Sequence, residues 1–324
     1  MACFLKSPKN AGQLDSNTII VTDTITPDWD PLLKQIAGII TNKGGRTSHA
    51  AIVARELGVP AIVGCGNATT TVKDGETITL SCAQGKTGYV YEGKCKFEEK
   101  EIDFSNINMP KTEAKMILAD PENAFQLSYY PNNGVGLLRM EFIITHHVKV
   151  HPMALVKFDD IKDSSVKHKI INITSGYDNK QDYFVDKLSQ GIATIAAAFY
   201  PKEVIVRLSD FKTNEYANLI GGHEFEPVED NPMIGWRGAS RYYRGNYVEG
   251  FALECEAIKR VRNQMGLTNV EVMIPFVRTL GEASQVIELL KEQGLERGKD
   301  GLRVIMMCEL PSNAILAEQF LEYF

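Results

Sequence analysis

No run of about 18 consecutive apolar residues occurs in this chain, so the sequence gives no reason to expect a membrane-crossing helix. The opening residues, Met1-Ala2-Cys3-Phe4-Leu5-Lys6, lack the sustained apolar core of a secretory signal. Positive charge is also short. Lys and Arg number 35 against 41 Asp and Glu, for a net charge of −6 and a pI near 5.6. Nucleic acids and anionic membrane surfaces are recognised through a basic field, and this balance does not supply one. The six cysteines (Cys3, Cys65, Cys82, Cys95, Cys255 and Cys308) are scattered, without the paired spacing of a metal site. Free thiols in a reducing cytoplasm are expected, with Cys308 read as a buried thiol. What remains is an ordinary soluble composition, 44% hydrophobic and 23% charged, in 324 residues, a length suited to about two domains.

Two textures divide the chain. Up to about Tyr91 the apolar segments are short and mixed. Strands are predicted at Asn17 to Val21, Gly38 to Thr41, Ala61 to Val63, Thr77 to Ser81 and Thr87 to Tyr91. Helices are predicted at Asp30 to Ala37 and Ser48 to Leu57, the latter stopped by Gly58 and Pro60. Met1 to Gln13 gives no firm signal. The polar, aperiodic stretch Gly93 to Lys111 reads as a linker, dividing the chain into 1–100, a junction at 101–111, and 112–324. Beyond it, strand candidates (Lys115 to Ala119, Gly134 to Leu138, Val204 to Leu208, Glu271 to Ile274, Arg303 to Met307) alternate with helical stretches such as Asp182 to Phe199, Phe251 to Met265 and Leu280 to Gln293. Such alternation implies a parallel α/β sheet and, repeated, a (β/α)8 barrel. Five candidates are short of eight strands, so the second domain is expected to be an incomplete TIM-type barrel.

The densest chemistry lies between Thr41 and Gly64: TNKGGRTSHAAIVARELGVPAIVG. Gly44 and Gly45 allow close backbone approach, and Thr47 or Ser48 can cap the helix that follows. His49 then falls in the first turn, where unpaired N–H groups and the positive dipole end favour an uncharged imidazole and welcome an attached anion. A lone histidine at a helix start is more often a bystander; the flanking Gly45, Arg46, Thr47 and Ser48 donors turn the reading toward a phosphoryl acceptor.

Charge also recurs at strand ends, the active face of such barrels. Arg139 ends GVGLLR, Arg207 sits in VIVRLSDF, and Glu309 follows RVIMMC. Guanidiniums grip phosphate and carboxylate bidentately, and a carboxylate suits a hard divalent cation. Each alone fits a rim salt bridge, but the recurrence does not. The histidines His146, His147 and His151 are read as an exposed stretch without a metal. Glu254, Glu256, Lys259, Arg260 and Arg262 are read as a solvated helix face.

GGRTSHAAIVARELGVPAIVG resembles the phosphohistidine segment of the PEP-utilising enzymes, and the resemblance runs from about residue 15 to the end. It implies a swivelling domain phosphorylated on His49 Nε2, with Arg139 and Arg207 binding PEP or pyruvate and Glu309 ligating Mg²⁺. Asn231-Pro232-Met233-Ile234-Gly235-Trp236-Arg237-Gly238 resembles a further loop of the family, with Arg237 near the phosphoryl group. The activity implied is formation of PEP from pyruvate and ATP, with water as second phosphoryl acceptor. Phosphate as second acceptor, or a PEP-dependent protein kinase of sugar transport, are the alternatives within the family. The ATP-binding domain and the later barrel strands have no counterpart here, so an inactive phosphohistidine carrier is the alternative of another class. Homodimerisation through the barrel domain is left open.

Overall fold

The computed structural model describes residues 1–12, 14–45, 48–84, 87–98, 103–104 and 107–324. Arg46, Thr47 and part of the expected 101–111 junction lie outside the described residues. The chain divides into two compact units, Met1–Asp103 and Phe104–Phe324. No helix among the described residues is long and apolar enough to cross a membrane.

In the first unit, β-branched runs form β2 (Ile19–Thr22) and β3 (Gly38–Thr41), every residue of which is buried. With β1 (Ala2–Phe4) and β4 (Ala61–Ile62) they make a parallel sheet of order β1-β2-β3-β4. Alternation along the strands supplies two cores. Ile20 and Ile39 pack with Trp29, Leu33, Ala50 and Val53; Ile19, Val21 and Ile40 pack with Ala68 and Ile78. Strands β5 (Ile78–Ser81) and β6 (Tyr89–Glu92) pair antiparallel.

Two sequence expectations change here. The unassigned opening residues contain β1, in parallel register with β2. The helix expected over Asp30 to Ala37 shrinks to a 3₁₀ turn, Pro27–Trp29, running into α1 (Asp30–Leu33). The Ala37 N–H bonds the Thr18 carbonyl at 2.7 Å, which pulls the chain out of the helix and into β3. Helix α2 (His49–Leu57) ends as expected, on Gly58 in the left-handed region.

The second unit is built on β7 (Met116–Leu118), β8 (Val135–Arg139), β9 (Val204–Arg207), β10 (Val270–Ile274) and β11 (Val304–Met306). These five strands are parallel and hydrogen-bonded in chain order, with helices between them, as in an incomplete barrel. Helix α3 (Lys180–Phe199) buries Phe184, Leu188, Ile192, Ile195 and Phe199 along one stripe. Helices α4 (Val248–Lys259) and α5 (Leu280–Glu292) follow β9 and β10.

The charged face expected on α4 is not wholly solvated. Glu256 pairs with Lys259 at 2.6 Å at the surface, but Glu254 is fully buried and Arg262 nearly so. Arg262 donates to the carbonyls of Thr268 and Asp300, at 3.0 and 2.9 Å. Glu254 Oε2 accepts the Ser209 N–H at 3.1 Å, and its Oε1 accepts the Tyr247 hydroxyl at 2.6 Å and the Ser209 hydroxyl. His151, expected on an exposed stretch, is also fully buried. Its Nδ1 accepts the Met153 N–H at 3.1 Å, so Nε2–H donates to Glu226 at 2.9 Å. Arg241 meets the same carboxylate bidentately at 2.6 and 2.7 Å and lies 4.1 Å over the Trp236 ring. Burial alone would raise the Glu226 pKa, but Arg241 and His151 hold it below the ordinary value.

Two outcomes follow from these buried charges. Arg241→Met leaves Glu226 buried with one partner fewer and should cost about 3 kcal/mol in urea unfolding, with Glu226→Gln in the same chain recovering part of it. Burial pushes Glu254 up to about 7 from an ordinary 4.5, against the Ser209 and Tyr247 hydrogen bonds. The folded state therefore binds more protons than the unfolded chain between those values, and stability falls as pH rises from about 4.5 to about 7. The expected total is about 3 kcal/mol, and Glu254→Gln should flatten that slope in a pH series of melts.

Candidate active site

The glycine turn before α2 brings His49 to its place. Gly44 has φ +123, and a β-carbon there would lie 3.0 Å from Ser48 Oγ. The Ser48 N–H returns to the Gly45 carbonyl at 2.9 Å, so the chain turns directly into the helix. Ser48 is the extended N-cap residue, but its side chain makes no capping hydrogen bond, and among the described residues its buried Oγ has no partner. His49 is the first helical residue, with its side chain 32% exposed. Its Nε2 lies 2.8 Å from Asp30 Oδ1, a carboxylate only 7% exposed at the start of α1. With Asp30 ionised, Nε2–H is the donor. The sequence reading weighed the helix dipole and the flanking Gly45, Arg46, Thr47 and Ser48 and missed this carboxylate; its one signal was an acidic residue in Trp29-Asp30-Pro31.

The second group of residues lies at the carboxyl edge of the barrel sheet. Arg139 and Arg207 are register partners on β8 and β9, so both side chains leave the same face. Arg207 meets Glu141 Oε1 at 2.9 Å and Asp210 Oδ2 at 3.6 Å. Asp210 in turn takes Arg237 bidentately, Nε on Oδ1 at 2.9 Å and a terminal nitrogen on Oδ2 at 2.6 Å. Glu141 Oε1 also accepts the Asp210 N–H at 2.7 Å. Burial pushes the Glu141 carboxyl up, with the Arg207 charge opposing. Next to Asp210, Ser209 is anchored to the buried Glu254.

The Arg237 guanidinium lies 4.5 Å over the Phe276 ring. Phe276 has a left-handed φ of 55°, a strained backbone for an aromatic residue, and its N–H donates to Glu309 Oε1 at 2.7 Å. Gly238 faces this bend, where a β-carbon would come within 2.6 Å of the Phe276 Cβ. Glu309 is exposed, as is the neighbouring Cys308, which was expected to be buried; both lie beyond the end of β11.

The site thus joins Arg207, Arg237 and, through Phe276, Glu309, with Arg139 in register beside Arg207. Glu141, Asp210 and Phe276 were not singled out from the sequence, although Glu141 and Asp210 stand two and three residues after the arginines that were. A hard cation takes oxygen ligands and keeps waters, which the exposed carboxylate of Glu309 suits. Asp120, Glu122 and His147 form a separate group whose ligand atoms lie within 4.8 Å of one another. There the Asp120 carboxylate already caps the following turn, accepting the Glu122 N–H at 3.1 Å and the Asn123 amide at 3.3 Å.

Comparison with known proteins finds matches over both units. Residues 14–85 match the mobile domain of PEP-utilising enzymes, and residues 98–324 match their PEP-binding domain. A phosphoenolpyruvate synthase of Neisseria meningitidis serogroup B is 55% identical over 321 residues, covering 98% of this chain and 40% of that protein. The phosphoenolpyruvate synthase of Escherichia coli K12 is 54% identical over 312 residues, covering 96% of this chain and 39% of its own length. That of Synechocystis is 54% identical over 324 residues, covering 100% of this chain and 40% of its own. The chain therefore spans about 40% of the length of the curated relatives it matches. With one match over the histidine-bearing unit and the other over the arginine-bearing sheet, the chain belongs to the PEP-utilising enzyme family.

Proposed function

We propose that this chain carries the phosphohistidine and part of the pyruvate/PEP site of an enzyme that forms PEP from pyruvate and ATP, with water as second phosphoryl acceptor. The observation that carries the reading is the convergence of Arg207 and Arg237 on Asp210 at the carboxyl edge of the sheet, with Glu309 tied to the same corner through Phe276. The relatives' name, phosphoenolpyruvate synthase, supports water rather than phosphate as the second acceptor. All six cysteines are free thiols, which supports a cytoplasmic setting.

His49 takes the phosphoryl group, and the unit of residues 1–103 is the mobile carrier. Arg139 and Arg207 hold the carboxylate and phosphate of the substrate, and Arg237 approaches the transferring group. Glu309 would hold a magnesium ion, which when bound supplies positive charge to the substrate oxygens. Asp210 and Glu141 keep the guanidiniums in place before the anion arrives, so little reorganisation is left to the transfer itself. Because phosphoryl transfer is chiefly a matter of position and charge, a prearranged arginine pair is the contribution this sheet can make.

Radioactive PEP in the presence of magnesium tests the reading. The wild-type chain should become labelled, and His49→Ala should abolish the label. Label retained on another residue would refute His49 as acceptor. Arg207→Ala should slow labelling about 100-fold while leaving the histidine intact; an unchanged rate would remove Arg207 from the substrate site.

A further inference from the structure

The nitrogen assigned to the phosphoryl group is the one that Asp30 already holds. His49 Nε2 stands 2.8 Å from Asp30 Oδ1, too close for a phosphorus atom to approach along that line. Nor can a protonated Nε2 attack, since its lone pair is committed to hydrogen. A carboxylate buried to 7% exposure carries a desolvation cost that a surface position would avoid. The ring it contacts keeps 32% of its own side-chain surface open. One side of the imidazole is therefore tied to a buried acid while the other meets solvent.

We propose that Asp30 is the proton acceptor for His49, resting on the reading of His49 as the phosphoryl acceptor. The step starts from a ring with a proton on each nitrogen beside an ionised Asp30 carboxylate. The Nε2 proton passes to the Asp30 carboxylate, leaving a neutral ring with Nδ1–H and a bare Nε2. The ring then turns away from Asp30, and the N–P bond forms as the phosphorus–oxygen bond of the donor breaks. The electron pair of that bond leaves on the donor oxygen. Asp30 then releases the proton to solvent, and its carboxylate, ionised again, attracts a protonated ring but repels a phosphoryl dianion, so the phosphorylated ring stays turned outward.

Phosphoramidate tests this without calling on the barrel. The N–P bond to His49 forms as the donor's own P–N bond breaks, and ammonia leaves with that electron pair. With the full chain, ³¹P NMR should show the phosphoryl group on His49 Nε2, and ¹⁵N NMR of the resting chain should show Nε2 protonated. Asp30→Asn keeps the shape of the side chain and removes the base; labelling should slow about 100-fold, and Asp30→Glu should recover part of the rate. Labelling of Asp30→Asn at the wild-type rate or faster overturns the proposal, as does an unprotonated resting Nε2. If the wild-type chain is not labelled at His49 by phosphoramidate, the acceptor reading and this inference fall together. Labelling by phosphoramidate but not by PEP leaves Asp30 in its role and removes the PEP-site reading instead.

Discussion

Asp210 lies between two guanidiniums, and the arrangement of the arginine-bearing edge follows from that contact. Arg207 comes from the end of β9 and Arg237 from a loop about thirty residues on, yet one carboxylate fixes both. Two like charges held this close would separate without an anion between them. Asp210 supplies that anion in the resting chain, and Glu141 adds a second on the Arg207 side. The corner is strongly charged and close to balanced before any substrate enters. Under the proposed function, an incoming dianion would exchange one set of charge-assisted hydrogen bonds for another and would not have to assemble the site itself.

The support beneath this corner is polar as well. Ser209 hangs from Glu254, whose burial is tolerated because backbone, serine and tyrosine groups all donate to it. Trp236, which precedes Arg237, covers Arg241 in its pairing with Glu226. Two buried acids thus hold the two segments from which the arginines come. Both carboxylates are paired on each oxygen, and polar networks held in this way are rigid, which the proposed site would require.

Much of this was legible in the sequence, for reasons that can be named. Strands β8 to β11 are short apolar runs separated by helical stretches, and a parallel sheet buried on both faces leaves that pattern. The α2 terminus was readable from Gly58 and Pro60 because helix endings obey local rules. The arginines and Glu309 were visible because charge at the end of an apolar strand is unusual. Local rules gave no access to partners made by distant segments. Glu254 looked like one of several charges on a helix face, and only Ser209, 45 residues earlier, decides that it is buried. His151 stood beside other polar residues, and its partner Glu226 is 75 residues away. Asp30 resembled an ordinary first-turn acid until α2 was laid against α1.

The order of the barrel strands has a consequence for how the sheet is assembled. Each of β8 to β11 hydrogen-bonds to the strand immediately before it in the chain. During synthesis, every new strand meets a template edge that already exists. The growing end exposes one unpaired edge at a time, and non-native pairings have correspondingly few places to begin.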